Sequence, residues 1–514
     1  MLAQIMILCA LITLLLYFLL GHRKMRKNVT DTSLSPPIHS SWVPFLGHIF
    51  NIATKGSNLY ISSLCALQRS PIATLKLPGQ DMHLIHPLDL SSVKQFTGMR
   101  HLSLMAVFHI AVGPAMGLVP ASEKFLTDPD TGDFKRGLSR LFNGELRSLQ
   151  NLHKYAFQLE KKIDGYWRQK FTTQDVSINV GLGSWTFDIL SRSMGAVFWG
   201  EQGPFEDKLF RQHLKLFIQN LETLRNPITF FIPSELRLAR EYVREKIAQS
   251  AFNEAYGGED VTLFERLALL YDSLEIPPEC FSDCHLVAIV GLMSNVINII
   301  SWALCHILAN PELRDALMEE LNRLVETSSS PYLIIDADRI RNNCPLLVAT
   351  WYELLRVYGD SPVARGVHKD SLFDGKYRLE KGSIIMTPIH LHNFDKNIWG
   401  EHADEFQPRR FLRNGESVDA ELIKHLNVFG LPGMHQCPGR YLGFTMTLAF
   451  VGKVLLEFDI TPASDDALGK GNIPKRKETM LGLPAMSEDP KVNIKRRRGI
   501  EGVQVAFDNV KPGW

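Results

Sequence analysis

The chain has 514 residues, of which 45% are hydrophobic and 22% are charged, a composition that allows a large buried core and excludes a disordered or collagen-like protein. Lys and Arg total 56 and Asp and Glu total 55, and this near balance argues against binding to nucleic acid. At ~150 residues per domain, the length corresponds to about three domains or to one unusually large enzyme domain.

A membrane anchor is predicted at the amino terminus. Residues 5–20 (IMILCALITLLLYFLL) contain one clearly polar side chain, Thr13, and a basic run follows at residues 22–27. About 17 to 20 helical residues are enough to cross the hydrocarbon core of a bilayer. A cleavable signal peptide would carry its charge before the apolar stretch, whereas charge after it predicts that the rest of the chain stays in the cytosol. An ordinary buried helix is the alternative, which the missing polar face disfavours.

The cysteines indicate a reducing compartment. There are 7 of them, scattered along the chain with no C-x-x-C, a pattern that fits neither a disulfide framework nor a zinc ribbon. This agrees with a cytosolic location after the anchor. Because no repeat or long low-complexity segment divides the remainder, we expect an anchor over residues 1–28 and one large domain over residues 29–514.

The apolar periodicity predicts a mainly α fold with small β-sheets. Helical spacing in the centre of the chain covers residues 145–170, 186–200, 208–225 and 235–256. A long apolar helix is predicted over residues 283–309, followed by a helix from Pro311, which suits a first turn, to Leu324. Short strands are predicted at residues 72–77, 83–86, 363–368 and 384–389.

Cys437 lies in a segment typical of a metal-bound thiolate. Residues 429–440 (FGLPGMHQCPGR) place it among glycines and prolines, directly before the apolar helix YLGFTMTLAFVGKVLLEF. Glycines such as Gly433 and Gly439 let backbone amides approach the sulfur, and the amino terminus of the helix adds positive potential. A structural cysteine in a tight turn is the alternative, since buried free cysteines are common.

A second feature is the pair Glu353 and Arg356, three residues apart on one helical face. The pair follows the apolar run 345–351, which makes a solvated pair, the alternative, less favourable. A buried pair needs further hydrogen-bond partners. The segment 405–411 (EFQPRRF), between the pair and Cys437, is a source of them.

The order of these features resembles that of the microsomal cytochrome P-450 family, the haem-thiolate monooxygenases. The anchor with a proline-rich hinge, the E-x-x-R pair, FQPRRF and G-x-x-x-C-P-G-R together cover nearly the whole chain. The resemblance implies the cytochrome P-450 fold and a haem b cofactor with Cys437 as the thiolate ligand of iron. It also implies that Glu353, Arg356 and Arg409 form a buried network that holds the cysteine loop, and that Arg365 pairs with a haem propionate.

Two positions depart from the family pattern near the haem. His435 stands where the family has an arginine, so the propionate contact there is reduced to a hydrogen bond without a permanent charge. The usual W-x-x-x-R of the helix that covers the haem is absent from the sequence. Cofactor contacts are therefore expected from Cys437, Arg365, His435 and the glycines beside the cysteine.

The larger departure lies in the helix 283–309, which corresponds to the distal helix of the family. That helix usually carries an acid or amide followed by threonine, which relays protons to oxygen. Alignment on Trp302 places Asn295 and Val296 at these positions, and valine has no proton to donate. Ser294, Asn295 or Asn298 would have to serve instead. Satisfied core polar groups, or a second membrane span over residues 286–308, are the alternatives.

The resemblance implies a single-pass enzyme of the endoplasmic reticulum membrane that oxidises a lipophilic small molecule with O2. Electrons would come from NADPH through a separate NADPH-cytochrome reductase, because the chain shows no flavin or nicotinamide motif. An asparagine, Asn295, that no threonine follows makes the distal helix similar to that of the branch with the sterol 7-alpha- and 12-alpha-hydroxylases and prostacyclin synthase. This similarity implies a terpenoid or steroid-like substrate in a biosynthetic, secondary-metabolite pathway. An oxygen-independent isomerase or dehydratase and a non-catalytic haem sensor are the alternatives.

Overall fold

The computed structural model describes most of the chain after residue 34. The described residues are 35–41, 46–77, 79–88, 90–99, 101–107, 112–127, 132–172, 176–226, 231–251, 261–326, 333–334, 337–430, 436–464, 468–497 and 503–504. The predicted anchor over residues 1–28 lies outside them, as do Gly433 and His435.

Helices make up most of the described structure. In chain order they are α1 (Leu46–Lys55), α2 (Ser57–Leu67), α3 (Leu90–Gly98), α4 (Leu104–Val107), α5 (Gly113–Met116), α6 (Pro120–Thr127), α7 (Gly132–Arg147), α8 (Leu149–Lys170), α9 (Leu182–Phe198), α10 (Lys208–Ile218), α11 (Leu221–Leu224), α12 (Ser234–Ala251), α13 (Leu263–Ser273), α14 (Phe281–Ala309), α15 (Pro311–Glu326), α16 (Ala337–Asn343), α17 (Pro345–Tyr358), α18 (Ile389–Asn393), α19 (Lys396–Trp399), α20 (Ala420–Ile423) and α21 (Arg440–Glu457). Short 3-10 helices cover Pro204–Glu206, Pro278–Cys280 and Pro408–Phe411.

The strands are short. They are β1 (Ile38–His39), β2 (Ile72–Leu77), β3 (Gln80–Ile85), β4 (Leu102–Ser103), β5 (Ser177–Gly181), β6 (Leu333–Ile334), β7 (Val363–Val367), β8 (Ser371–Phe373), β9 (Tyr377–Leu379), β10 (Ile384–Thr387), β11 (Leu412–Arg413), β12 (Ser417–Val418), β13 (Phe458–Pro462), β14 (Lys491–Arg496) and β15 (Val503–Gln504).

The smaller of two compact units comprises Met1–Val107 and Pro362–Leu391. Its main feature is a mixed sheet with strand order β1-β2-β3-β10-β7-β4. β2 and β3 form an antiparallel hairpin, and β10 pairs parallel to β3 and antiparallel to β7. The β-hairpin of β8 and β9 completes the strands of this unit.

The larger unit comprises Phe108–Ser361 and His392–Trp514, and it contains the main hydrophobic core. The 29-residue helix α14 runs through this core and contacts α9, α12, α17 and α21. The antiparallel sheet β13-β14-β5 lies in the same unit. By length and composition the segment Pro278–Ala309 resembles a membrane span, but 72% of its most apolar window is buried inside the protein.

The structure confirms the mainly α prediction, and most predicted bounds differ from the observed ones by a few residues. The predicted helix 208–225 is divided into α10 and α11. The division occurs at Asn220, whose side-chain amide donates to the Leu216 carbonyl at 2.7 Å. This hydrogen bond competes with the continuing backbone ladder, as asparagine side chains often do. The long apolar helix and the helix from Pro311 occur as predicted.

Candidate active site around Cys437

Cys437 directly precedes the first turn of α21. Its backbone N–H donates to the Phe429 carbonyl at 2.9 Å, which closes the loop between the two residues. Gly439 is the N-cap residue of α21, and a Cβ atom at Gly439 would lie 3.8 Å from the Cys437 Sγ atom. The start of the helix thus lies within van der Waals distance of the sulfur.

The protein around Cys437 can stabilise a thiolate. Burial raises the pKa of the Cys437 thiol, whereas the backbone N–H groups of Gly439 and Arg440 and the Arg440 guanidinium act in the opposite direction. Arg440 also donates to the Cys437 carbonyl at 3.0 Å and to the Tyr441 hydroxyl at 2.9 Å. Part of the Cys437 surface stays open. A soft sulfur donor with backbone amides beside it and an open side fits the axial ligand of a haem iron.

Glu353 and Arg356 form a fully buried ion pair on α17. The guanidinium donates through Nε to Oε2 and through Nη2 to Oε1, both at 2.8 Å, and neither side chain is exposed. Arg356 also donates to the carbonyls of Asn393 at 2.8 Å and Ala403 at 2.6 Å. Each charge therefore has the additional partners that a buried pair requires.

The third member of this network is Arg410, and the prediction that Arg409 fills this place is wrong. Arg410 Nε lies 3.0 Å from Glu353 Oε1, and its Nη2 donates to the His402 carbonyl at 2.6 Å. Arg409 is exposed. The two arginines lie in the 3-10 turn Pro408–Phe411, where successive side chains point about 120° apart, so only one of them can point toward Glu353.

Glu320, which sequence reasoning did not assign to the site, fixes the start of α17. Its buried carboxylate accepts the backbone N–H groups of Leu346 at 2.8 Å and Leu347 at 3.1 Å. These are two of the N–H groups that a helix leaves without partners in its first turn. Burial raises the pKa of Glu320, although these bonds oppose the shift. The cap comes from another helix, so no local sequence signal announces it.

The polar residues predicted for the distal helix bind protein backbone. Asn295 Oδ1 accepts the Leu483 N–H at 2.7 Å, and Asn298 Nδ2 donates to the Leu483 carbonyl at 2.9 Å. The Ser294 hydroxyl donates to the Val290 carbonyl at 2.7 Å. Asn295 and Asn298 thus hold the segment around Leu483 against α14, and the Nδ2 group of Asn295 takes no part in that contact.

The described residues leave one face of α14 uncovered, although the helix is mostly buried. Gly291 is exposed, and a Cβ atom there would meet none of the described residues within 4 Å. The partly exposed residues one turn before and after it are Val287, Ala288, Ser294 and Asn295, which lie on the same side at helical spacing. Val296 points elsewhere, because its Cγ2 atom lies 3.8 Å from a Cβ position at Gly443 on α21.

The remaining predicted residues belong to the smaller unit or lie outside the described residues. Arg365 belongs to β7 of the smaller unit, where it is opposite Ile385 of β10. Burial lowers its pKa, and its Nη1 donates to the Ala364 carbonyl at 2.7 Å. Its contact with a haem propionate stays a prediction, as do the roles of Gly433 and His435.

Comparisons with known proteins agree on one family. A family model described as cytochrome P-450 matches residues 283–486. The monooxygenase nodJ of Hypoxylon pulicicidum, a cytochrome P-450, is 24% identical over 83% of this chain and 83% of its own. Cytochrome P-450 7B1 of Mus musculus is 24% identical over 86% of this chain and 87% of its own.

Two further similarities extend over most of the chain. Dimethylnonatriene synthase of Arabidopsis thaliana is 24% identical over 89% of this chain and 91% of its own. Among solved structures, the retinoic acid-bound cyanobacterial CYP120A1 superposes with a TM-score of 0.65 at 17% identity, covering 91% of this chain and 100% of that chain. The structural match establishes the fold.

Proposed function

This chain belongs to the cytochrome P-450 superfamily, and from that premise we propose that Cys437 holds the haem of a monooxygenase that oxidises a lipophilic small molecule. The family is one of oxidoreductases with a haem whose iron has a cysteine thiolate ligand. The observation that carries the proposal is the Cys437 sulfur beside the first backbone amides of α21. When bound, the haem supplies O–O bond cleavage, which a thiolate ligand favours.

The protein's own contribution on the proximal side is to hold the cysteine loop in place. Glu353, Arg356 and Arg410 connect α17 to the carbonyls of residues 393–405. Glu320 caps the amino terminus of the same helix. A thiolate ligand must be held within a fraction of an ångström of its working position. We assign positioning roles to this network, and propionate contacts to Arg365 and His435.

On the distal side, the open face of α14 would line the substrate space. Ala288 and Gly291 leave room for a bulky molecule and present no charge. The Nδ2 group of Asn295 and the hydroxyl of Ser294 are the polar groups on this face, and they supply donors or acceptors for proton movement. Asn298 is assigned a structural role, because its amide is buried against Leu483.

A terpenoid or steroid-like substrate from a biosynthetic pathway is the proposed class. The name of the Arabidopsis thaliana relative denotes a branched hydrocarbon triene as its product. The fungal relative nodJ covers most of this chain as well. Such a molecule has few polar groups, so the apolar, small-residue face of α14 suits it better than it suits a charged substrate.

The proposal also includes an electron donor and a membrane anchor. A monooxygenase of this family that has no flavin domain of its own needs a redox partner, and we assign that part to an NADPH-cytochrome reductase. Residues 1–28 are proposed to anchor the protein in the endoplasmic reticulum membrane with the domain of residues 29–514 in the cytosol. Sedimentation of the full chain with membranes after carbonate washing, and release when residues 1–28 are deleted, test the anchor.

A second candidate is an oxygen-independent isomerase or dehydratase that acts on a peroxide. The observation in its favour is Val296, which replaces a proton-relaying residue and points toward α21. Purified protein would be incubated with candidate terpenoids and steroids, with and without reductase, NADPH and O2. Product that requires all three supports the monooxygenase. Turnover of a lipid peroxide without them supports the isomerase and contradicts our proposal.

A further inference from the structure

Trp351 of α17 contacts the chain on both sides of Cys437. The centroid of its ring lies 6.4 Å from the ring centroid of Phe429, and the two ring planes are 29° apart. Phe429 precedes the cysteine by eight residues. On the other side Trp351 meets the Phe444 ring edge-to-face at 5.9 Å. Its Cη2 atom lies 3.8 Å from a Cβ position at Gly443. One buried indole thus spans the entry to the cysteine loop and the helix after it.

The entry to the loop needs support from its surroundings. Phe429 has a φ of 61°, in the left-handed region that a bulky residue rarely adopts. A residue persists in such a conformation only where neighbouring structure imposes it. The Phe429 carbonyl accepts the Cys437 N–H at 2.9 Å, so the orientation of Phe429 decides whether the cysteine is held.

The neighbouring contacts show why α17 imposes this orientation. Gly359, the C-cap of α17, leaves room for Val428, whose Cγ1 atom would be 3.0 Å from a Cβ atom at Gly359. Val428 and Phe429 are consecutive, so the middle of α17, at Trp351, and its carboxyl end, at Gly359, contact adjacent residues of the chain. At Gly443 the indole lies at van der Waals distance from α21.

We propose that Trp351 is a positioning residue for the thiolate ligand, which fixes the distance between Phe429 and the start of α21 and thereby the placement of the Cys437 sulfur. The indole touches neither substrate nor reacting atoms in this assignment. It acts through Phe429 and Gly443. This inference rests on the proposed role of Cys437 as the haem ligand.

The test compares four variants at two buried tryptophans, with haem-loaded full-length protein. Trp351→Phe and Trp351→Leu remove the Cη2 atom that reaches Gly443, and the leucine variant also removes the ring that stacks on Phe429. Trp185→Phe and Trp185→Leu are matched controls, since Trp185 is also buried and stacks on Trp167 at 6.1 Å. Trp185 meets α21 at Phe450, about 15 Å along the helix from its start at 1.5 Å per residue.

Two quantities are measured on the haem that remains bound. The first is the share of the ferrous carbon monoxide complex that shows the thiolate-type absorption band. The second is the rate of haem transfer to an excess of a haem-free acceptor protein. Circular dichroism gives the folded fraction, so that loss of fold is counted separately from loss of ligation.

The expected result is a graded loss of the thiolate-type band and faster haem transfer from wild type to Trp351→Phe to Trp351→Leu, with both Trp185 variants at the wild-type level. If Trp351→Leu does not fold, the comparison of the two phenylalanine variants decides. Equal band share and transfer rate in Trp351→Phe and Trp185→Phe would overturn the inference. A wild-type protein without the thiolate-type band would instead overturn the proposed function.

Discussion

Arg410 donates to Glu353 across 3.0 Å, although 57 positions separate the two residues in the chain. The carboxylate that receives this bond is fully buried and already holds Arg356. Gln407 adds a backbone N–H at 2.7 Å to the same oxygen. Glu353 is thus the centre of a network that joins α17 to the segment before the cysteine loop.

Arg410→Ala is predicted to destabilise the protein, whereas Arg409→Ala is not. Loss of a hydrogen bond to a charged group costs about 1.5–3 kcal/mol, and Arg410 makes one to Glu353 besides those to backbone carbonyls. Arg409 is exposed and its charge acts on Glu320 and not on the Glu353 carboxylate, and surface substitutions usually stay within about 0.5 kcal/mol. Urea unfolding of the two variants measures the difference. Equal costs would contradict the assignment of Arg410 as the arginine that pairs with Glu353.

The carboxylate of Asp489 caps the start of α9, and its removal is predicted to destabilise the protein above acid pH. It accepts the Gly183 N–H at 2.7 Å and the Ser184 N–H at 3.0 Å, and Lys215 Nζ lies 3.0 Å away. Burial alone would raise the pKa of Asp489, but Lys215, Ser184 and Gly183 together hold it below the usual 3.8. Asp489→Asn keeps the shape and removes the charge.

The sign of the pH effect follows from the lowered pKa. The folded protein binds the Asp489 proton less readily than the unfolded chain does, so the carboxylate stabilises the fold above about pH 3.8 and loses this effect as the pH falls. Asp489→Asn should cost about 1–3 kcal/mol at neutral pH and progressively less in acid. Unfolding curves at several pH values provide the check. A cost that stays constant down to acid pH contradicts the assignment.

Glu160 is predicted to have the opposite pH dependence. Burial raises the pKa of this α8 carboxyl to about 7, and the Asp164 and Glu457 charges add to the rise while Lys453 opposes it. The folded state therefore binds its proton more tightly than the unfolded chain, and stability falls as the pH rises from about 4.5 to 7.

Glu160→Gln should remove this pH dependence. One pKa unit corresponds to about 1.4 kcal/mol, so the gain in unfolding free energy at alkaline pH is of the order of 3 kcal/mol. At pH 4 the variant should match the wild type. Chemical unfolding at pH 4, 6 and 8 gives the comparison, and the prediction is wrong if the two proteins keep a constant difference over this range.

Gly482 and Asn295 are predicted to be energetically coupled. Gly482 has a φ of 73°, and a Cβ atom there would lie 2.3 Å from Asn295 Oδ1. Gly482→Ala should cost about 1–3 kcal/mol for the left-handed backbone and more for the clash. Asn295→Ala removes the clash, so the double variant should be more stable than the sum of the single costs by about 0.5–3 kcal/mol.

A matched control separates the clash from the backbone strain. Gly415 has a similar φ of 78°, and no atom of the described part of the chain lies within 4 Å of its Cβ position. The costs of Gly415→Ala and Asn295→Ala in unfolding free energy should therefore add up in the double variant. The contact between Asn295 and the Gly482 segment is refuted if the Gly482 pair is additive as well.

The sequence predicted the parts of the site that local motifs carry. The motif around Cys437 predicts a cysteine just before a helix, and the structure has it before α21. The three-residue spacing of Glu353 and Arg356 predicts an ion pair on one helix, which the structure also shows. Arg410 was missed because a sequence does not tell which arginine of a short turn points inward. The partner of Asn295 is 188 positions away, so no local pattern could show that its carbonyl oxygen is engaged by backbone.

The most direct test of Cys437 as the thiolate ligand is the absorption spectrum of the ferrous carbon monoxide complex. It would be recorded for wild type, for Cys437→Ser and for Cys344→Ser, a control at a buried cysteine before α17. The thiolate-type band is expected in wild type and in the control, and its loss is expected in Cys437→Ser. An unchanged band in Cys437→Ser would contradict the assignment of Cys437 as the ligand.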